Sequence, residues 1–197
     1  DHCMLFLGEK HYPATQRPLL YEDYSDQFVR KQQSGVQFSV SLLDNQYGYL
    51  VLPGMLFLDL PKDSVNAKAQ NMYDQILALD QENDLKGWII DLRFNIGGDA
   101  YLMLTALYHF LGDKVAYQGL GVDKKVKNLN ELKAGKFYSE GEVQNELKSF
   151  QSTDLESPVA LFIGIWTASA GECVVMGFKG RENVIEIGEP TYGYVTG

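Results

Sequence analysis

The spacing of apolar residues along the chain predicts a succession of short strands. Apolar residues alternate with polar ones or form short runs, and most runs stop at a glycine, proline or aspartate. Alternation is typical of strands with one buried face, and short continuous runs are typical of buried strands. The predicted strands cover residues 36–43, 47–52, 87–93, 158–164 and 184–187.

Between these strands the apolar spacing changes to that of helices. The predicted helices cover residues 64–80, 99–111 and 168–178. In the first of them, four apolar residues recur on one helical face, namely Val65, Ala69, Met72 and Ile76. Asp63 or Ser64 is expected to cap this helix, because a short polar side chain can accept a hydrogen bond from the free amides of the first turn.

The order of these elements predicts an α/β fold with a largely parallel sheet. Residues 36–197 are expected to form the core. Residues 113–157 have weak periodicity and many Lys, Asn, Gly and Glu residues, so they are expected to be an insertion over that core. Residues 1–35 are expected to be an incomplete N-terminal segment. Because the chain stops at Gly197 within a motif, the C-terminal part of the core is expected to be missing.

Composition narrows the possible partners. A net charge of −9 disfavours nucleic acid, because phosphate binding needs clustered Lys and Arg. No apolar run approaches the roughly 18 residues of a membrane span. Two cysteines, Cys3 and Cys173, are too few for a disulfide scaffold, and Cys173 is expected to be buried. Neither a metal nor a cofactor is expected, because the spacing of metal ligands and the phosphate-binding loop are both absent from the sequence.

The first candidate for chemistry is the turn that contains Ser169. A predicted buried strand leads into this turn, and a predicted helix follows it. A serine there would lie beside unpaired backbone N–H groups and the positive end of the helix dipole, which can stabilise an oxyanion. Its small neighbours, Ala168, Ala170 and Gly171, would leave space for a substrate. The alternative is an ordinary N-cap serine.

A second turn with similar features contains Gly97 and Gly98. It also joins a predicted buried strand to a helix, and glycines allow a backbone to approach a ligand closely. Its amides could supply a second oxyanion donor. The alternative is a plain strand-to-helix turn that requires positive φ. Asp91 and Arg93, just before the turn, are expected to make structural polar contacts.

Four motifs then occur in order between about residues 47 and 197: YGYLVLP, DLRFNIGG, TASAGE and GEPTYG. Together they resemble the tail-specific, C-terminal-processing serine peptidase family, whose nucleophile matches Ser169. The resemblance implies a Clp protease/crotonase-like core of stacked β-β-α units. It also implies an oxyanion hole made by the amides of Gly97 or Gly98 and of Ala170, a polypeptide substrate, and an exported protein.

One position departs from that family. In its best-known branch a lysine activates the serine, but this chain has Tyr194 there, and a tyrosine is a poor base at neutral pH. A second branch, which resembles the tricorn core peptidase, uses an N-terminal histidine in a D-x-H-S motif. His11 and His2 are the candidates here. His11 is slightly preferred because Glu9 stands in the place of the motif's aspartate.

The remaining features qualify this hypothesis. Both N-terminal histidines can also be surface residues, and His109, in an apolar helix, is expected in the core or at its rim. The family's peptide-binding PDZ module has no room before Tyr47. The sequence therefore predicts a serine peptidase that forms an acyl-enzyme. The alternatives are a non-catalytic binding homologue, similar to the repeats of interphotoreceptor retinoid-binding protein, and a crotonase-like acyl-CoA enzyme.

Overall fold

The computed structural model describes the backbone of two N-terminal strands and, from residue 35 onward, most of the chain. The described ranges are residues 4–7, 10–13, 35–121, 123–151 and 153–195. The N-terminal strands, β1 (Met4–Leu7) and β2 (Lys10–Pro13), pair antiparallel with each other, which places the backbone of His11 opposite that of Phe6.

From Ser39 onward, the predicted strands and helices occur in the predicted order, and four strands that the apolar spacing does not predict lie within residues 113–157. The elements are β3 (Ser39–Leu43), β4 (Tyr47–Val51), α1 (Lys62–Glu82), β5 (Trp88–Asp91), α2 (Ala100–Ala106), α3 (Tyr108–Leu111), β6 (Lys114–Leu120), β7 (Val126–Lys133), β8 (Lys136–Ser139), β9 (Glu142–Glu146), β10 (Val159–Ile163), α4 (Ala170–Phe178) and β11 (Val184–Gly188). Each predicted strand is confirmed, with ends that differ by a few residues. The predicted helices are also present, except that the one predicted over residues 99–111 is divided at Leu107 into α2 and α3.

The central sheet has the strand order β11-β10-β5-β4-β3. Strands β4, β5, β10 and β11 run parallel, and β3 pairs antiparallel with β4 at one edge. Parallel neighbours need long crossovers, which α1 and α4 help to supply. The predicted α/β fold with a largely parallel sheet is therefore confirmed. In this arrangement the carboxyl ends of β5 and β10 meet at one edge of the sheet.

One face of this sheet carries the core. Leu50, Ile90 and Leu161 lie side by side on adjacent strands and are fully buried, and the four predicted apolar residues of α1 are less than 9% exposed. The opposite face is more open, because Ile185 on β11 is 59% exposed and Ile89 on β5 is only partly buried. The apolar runs therefore form strands that, within the described part of the chain, are buried mainly on one face.

The start of α1 differs from the prediction. The helix begins at Lys62, directly after Pro61, and no side chain caps it. Asp63 and Ser64 therefore lie inside its first turn. Proline needs no hydrogen-bond acceptor at this position, since it has no N–H, and Asp63 favours the positive end of the helix dipole.

Between α3 and β10 the chain forms a second, antiparallel sheet with the order β6-β7-β8-β9. Leu132 and Phe137 join its inner face to the main core. Buried Asn66 on α1 fixes its outer strand, because Asn66 Oδ1 accepts hydrogen bonds from Asn145 Nδ2 and Glu146 N, each at 3.1 Å. Among the described residues, no helix is long and apolar enough to cross a membrane.

An ion pair between buried Asp91 and partly exposed Arg93 closes the end of β5, where the sequence predicts structural polar contacts. Asp91 is fully buried, and Arg93 donates to both of its carboxylate oxygens, at 2.9 and 2.7 Å. Tyr49 on the neighbouring strand donates to Asp91 Oδ2 at 2.7 Å. Burial raises the pKa of Asp91, but these hydrogen bonds outweigh it and hold the pKa below its ordinary value.

Replacing Arg93 by methionine should therefore destabilise the protein most at neutral pH. Asp91 has a lowered pKa in the folded state, so its contribution is complete above the unfolded pKa of about 4 and is lost as the pH falls through the folded value. Arg93 is partly exposed, so we expect a loss of about 2 kcal/mol in the free energy of unfolding at pH 7. Urea denaturation at pH 7 and pH 3 measures this. An equal loss at both pH values would contradict the assignment.

Candidate active site

Ser169 occupies a strained turn between β10 and α4. Its φ is 51° and its ψ is −119°, and it directly precedes Ala170, the first residue of α4. A non-glycine residue at positive φ of this kind costs on the order of 1–3 kcal/mol, which the surrounding structure must supply. The nucleophile of α/β-hydrolases lies on a similar sharp turn from strand to helix. Ser169 is therefore the N-cap residue of α4 and forms a capping box with Glu172, but its backbone conformation is strained rather than relaxed.

The Gly97 turn lies directly against Ser169. A Cβ atom placed on Gly97 would lie 2.8 Å from Ser169 Cβ and 3.2 Å from its Oγ. No Cβ tolerates the shorter distance, so this position requires glycine. The two turns singled out in the sequence thus converge at the carboxyl ends of β5 and β10, and the Ser169 hydroxyl faces the glycine backbone.

One buried asparagine holds both turns. Asn95 is fully buried, and its backbone oxygen accepts a hydrogen bond from Ala168 N at 2.9 Å. Its side-chain oxygen accepts from Gly97 N at 3.1 Å, and its side-chain nitrogen donates to Leu52 O at 3.2 Å. Gly171 allows this approach, because a Cβ there would lie 2.6 Å from Asn95 O. Asn95 therefore fixes the distance between the serine turn and the glycine turn.

The backbone amides at the site differ in whether they are engaged. Gly97 N donates to Asn95, and Gly171 N donates to Ala168 O at 2.9 Å. In the described part of the chain, by contrast, the amides of Gly98 and Ala170 have no hydrogen-bond acceptor. Ala170 is the first residue of α4, where the helix leaves its amides unpaired. Gly98 and Ala170 both line the pocket beside Ser169, so two free donors are available there to stabilise an oxyanion.

Glu172 connects the serine turn to the loop that follows β11. Glu172 is 7% exposed, and its carboxylate accepts a hydrogen bond from the amide of Ser169 at 2.9 Å. It also accepts the Thr191 hydroxyl at 2.6 Å and the amides of Gly193 and Tyr194 at 2.9 and 2.8 Å. A buried carboxylate needs such donors, and its place in the first turn of α4 suits the helix dipole. Glu172 therefore fixes the Ser169 backbone and holds Tyr194 at the site.

A pocket of about 500 Å³ opens beside Ser169. The residues that line it include Tyr101, Tyr117, Cys173 and Tyr194. Burial raises the pKa of the Cys173 thiol to about 11 and raises the pKa of Tyr117 above its ordinary value, so both groups are neutral at pH 7. Cys173 was expected to be buried, but it lies only partly buried in this pocket, because α4 turns its i+4 position towards the same side as Ser169.

The structure describes the three histidines to different extents. His2 lies outside the described residues, and His11 is described only by the backbone pairing of β2. His109 is 2% exposed, which confirms its prediction as a core residue, and its Nε2 lies 3.2 Å from Asp80 Oδ2.

A cluster of possible metal ligands surrounds His109. The possible ligand atoms of Asp80, His109 and Asp154 lie within 4.8 Å of one another. Both carboxylates already accept other hydrogen bonds, from Trp88 Nε1 and from the amides of residues 156 and 157.

Sequence reasoning assigned no role to Asn95, Glu172 or Thr191. Each lies inside a motif quoted from the sequence, which is the signal that could have identified them. Key partners, however, lie many residues away in the chain. Asn95 donates a hydrogen bond to Leu52, and Glu172 accepts one from Thr191. Local spacing does not reveal such contacts.

Comparison with known proteins identifies relatives of this arrangement. The family model described as peptidase family S41 matches residues 46–197. A nisin-resistance protein from Lactococcus lactis subsp. lactis is 29% identical over 142 residues, which is 72% of this chain and 44% of that protein.

Two solved structures have a similar fold. A lipoprotein from Streptococcus agalactiae has a TM-score of 0.64 at 22% identity, over 86% of this chain and 55% of that one. A photosystem II D1 C-terminal processing protease has a TM-score of 0.53 at 16% identity, over 80% of this chain and 36% of that one. The chain thus spans about half the length, or less, of these relatives.

Replacing Glu172 by glutamine should loosen the loop after β11. The neutral amide offers one acceptor oxygen where the carboxylate offers two, so the four donors can no longer all be satisfied. Amide hydrogen exchange, measured by NMR, should become roughly tenfold faster at Gly193 and Tyr194, as expected for a loss of about 1.4 kcal/mol in local opening. Glu186→Gln, on the exposed strand β11, is the control. Unchanged exchange at both amides would contradict the role of Glu172.

Proposed function

The chain belongs to peptidase family S41, and we propose that it hydrolyses peptide bonds through an acyl-enzyme formed on Ser169. One observation carries this proposal: the strained Ser169 turn lies against the Gly97 turn, and Gly98 and Ala170, whose amides are free, line the same pocket as Ser169. A hydroxyl next to two unpaired donors suits acyl transfer, because the donors stabilise the negative charge that develops on the attacked carbonyl oxygen.

The proposed reaction has two halves. The Ser169 oxygen attacks the scissile carbonyl while a base takes its proton, and the carbonyl oxygen becomes an oxyanion held by Gly98 N and Ala170 N. The C–N bond then breaks, and the departing amine takes the proton. In the second half, water attacks the ester, the same base takes a proton from that water, and Ser169 is released with its hydroxyl restored.

Of the two glycines named from the sequence, Gly98 is the better donor in this proposal. The Gly97 amide already donates to Asn95 Oδ1, so its contribution is to let Ser169 approach closely. Loss of one oxyanion donor in such sites typically costs about 3 kcal/mol of transition-state stabilisation. The free Gly98 amide is therefore expected to account for much of the rate.

We propose an N-terminal histidine as the base, and His11 is preferred over His2. Tyr194 stands where the resembled family has its lysine, and it borders the same pocket as Ser169. A tyrosine holds its proton at neutral pH, whereas an imidazole accepts one there. The preference for His11 rests on Glu9, which stands in the place of the aspartate of the D-x-H motif.

The relatives support two further parts of the proposal, a polypeptide substrate and a location outside the cytoplasm. The matched relatives include a nisin-resistance protein and a lipoprotein, and one solved relative is a C-terminal processing protease. This chain spans only part of each relative. A polypeptide substrate, cleaved by the whole protein, is therefore a proposal.

A second candidate function is peptide binding without cleavage. Tyr194 in the place of the lysine favours it, and the pocket beside Ser169 has room for a bound ligand. The strained Ser169 turn favours catalysis instead, because a binding protein has no need to hold a serine in a costly conformation.

Covalent labelling tests the acyl-enzyme directly. A peptidyl phosphonate should add to intact protein as a single adduct, and tandem mass spectrometry should place that adduct on Ser169. Ser169→Ala should remove it, and Ser152→Ala, at a serine far from the motif in sequence, should leave it unchanged. Wild-type protein without any adduct would contradict the acyl-enzyme and would favour peptide binding without cleavage.

The base is tested by the rate of the same labelling. We expect His11→Ala to lower the rate by a factor of about 10² to 10⁴, the usual contribution of a general base, while His2→Ala leaves it nearly unchanged. The wild-type rate should rise with pH across the range in which an imidazole loses its proton, roughly pH 6 to 7. The reverse ranking would assign the base to His2. Rates equal to the wild-type rate in both variants would exclude either histidine as the base.

A further inference from the structure

A buried histidine lies between two carboxylates outside the proposed active site. His109 on α3 is 2% exposed, and one possible ligand atom from each of Asp80, His109 and Asp154 lies within 4.8 Å of the others. None of these three residues lines the pocket beside Ser169. The proposed acyl-enzyme chemistry makes no use of them, so the cluster needs an explanation of its own.

Asp80 determines which ring nitrogen of His109 carries the hydrogen. His109 Nε2 lies 3.2 Å from Asp80 Oδ2, and an ionised carboxylate only accepts hydrogen bonds, so Nε2 is the donor. His109 Nδ1 is buried and has no hydrogen-bond partner among the described residues. A hydrogen on Nδ1 would therefore be a buried donor without an acceptor, which is unfavourable. Nδ1 instead presents a lone pair that no group in the described chain uses.

Asp154 brings a second carboxylate to the histidine. Its amide donates to His109 O at 2.8 Å, and its Oδ1 accepts from the amides of Glu156 and Ser157 at 3.1 and 3.0 Å. Burial raises the pKa of Asp154, but the hydrogen bonds from Ser157 and Glu156 and the nearby His109 hold it below its ordinary value. Asp154 is therefore ionised at neutral pH and places a negative charge beside the histidine.

Together these groups have the chemistry of a transition-metal site. A metal-ligating histidine usually donates its other ring N–H to a carboxylate, as His109 Nε2 does to Asp80. The carboxylates of such sites are themselves hydrogen-bonded, and Trp88 Nε1 donates to Asp80 Oδ1 at 3.2 Å. Ligand atoms on one Zn²⁺ lie at most about 4 Å apart, so the cluster needs only a small contraction to hold an ion. The Asp80 side chain is 22% exposed, which gives an ion a route from solvent.

We propose that this cluster binds a divalent transition-metal ion such as Zn²⁺. His109 Nδ1 and an Asp154 carboxylate oxygen are its ligands, Asp80 orients the imidazole, and water completes the coordination. An ion at this position joins α3 to the loop that precedes β10 and, through Asp80, to the end of α1. The sequence-based expectation of no metal rests on short ligand spacings, whereas these residues lie far apart in the chain.

Isothermal titration calorimetry of the full chain with zinc chloride tests the carboxylates. Asp154→Asn should weaken zinc binding about tenfold or more, and Asp80→Asn should weaken it by roughly 10- to 100-fold, the usual effect of losing an orienting partner. The matched control is Asp63→Asn, which removes the same charge from an exposed position in the first turn of α1 and should bind zinc like wild type. Wild-type affinity in both Asp154→Asn and Asp80→Asn would overturn the proposal.

Two-bond ¹H–¹⁵N NMR spectra of the wild-type protein test the histidine without any substitution, so the folding of a variant does not affect the result. In metal-free protein the His109 hydrogen should be on Nε2. Added Zn²⁺ should then shift the Nδ1 resonance more than the Nε2 resonance, because Nδ1 is the ligand. A hydrogen on Nδ1 in the metal-free protein, or His109 resonances that zinc leaves unchanged, would overturn the proposal.

Competition with Ca²⁺ distinguishes a histidine-containing site from an acidic patch. Calcium takes oxygen ligands, so an excess of Ca²⁺ should neither displace Zn²⁺ nor reproduce the shift at Nδ1. Displacement of zinc by calcium at similar concentrations would mean that the carboxylates alone bind the ion, and the assignment to His109 would be wrong.

Discussion

The position of the Ser169 hydroxyl depends on the hydrogen bonds of one buried asparagine. Asn95 accepts the amide of Ala168 through its backbone and the amide of Gly97 through its side chain. It thereby sets the separation of two turns that belong to different strand–helix units. An unsatisfied polar group at this depth would cost about 1–3 kcal/mol, so each bond of Asn95 favours the same arrangement. That arrangement leaves the amides of Gly98 and Ala170 free beside the serine.

The chemistry proposed for the site comes mainly from the backbone. Glu172 supports it from the other side, since it holds the Ser169 amide together with the loop that carries Tyr194. The strain at Ser169 is thus offset by charge-assisted hydrogen bonds, which are about twice as strong as neutral ones. Such a site can keep its oxyanion donors whether a lysine or a histidine supplies the base. This explains how a chain with tyrosine in the lysine position can retain the rest of the geometry.

The sequence predicted elements well and long-range contacts poorly. The helix over Lys62–Glu82 and the parallel strands followed from apolar periodicity, because burial on one face imposes that spacing. The sequence did not predict the antiparallel sheet of residues 114–146, because its strands are largely polar and depend on contacts such as that of Asn66 with Asn145. The two turns were visible as glycine and alanine clusters. The roles of Asn95 and Glu172 were not, because they depend on partners distant in sequence.

The central claim is that the Ser169 hydroxyl faces an oxyanion site made by two free amides, and a crystal structure of the phosphonate adduct tests it most directly. The measured quantities are the distances from the phosphonyl oxygen to Gly98 N and to Ala170 N. We expect both to be about 3 Å, the range of oxyanion-hole hydrogen bonds. A phosphonyl oxygen directed to solvent, or beyond hydrogen-bond reach of both amides, would contradict the account.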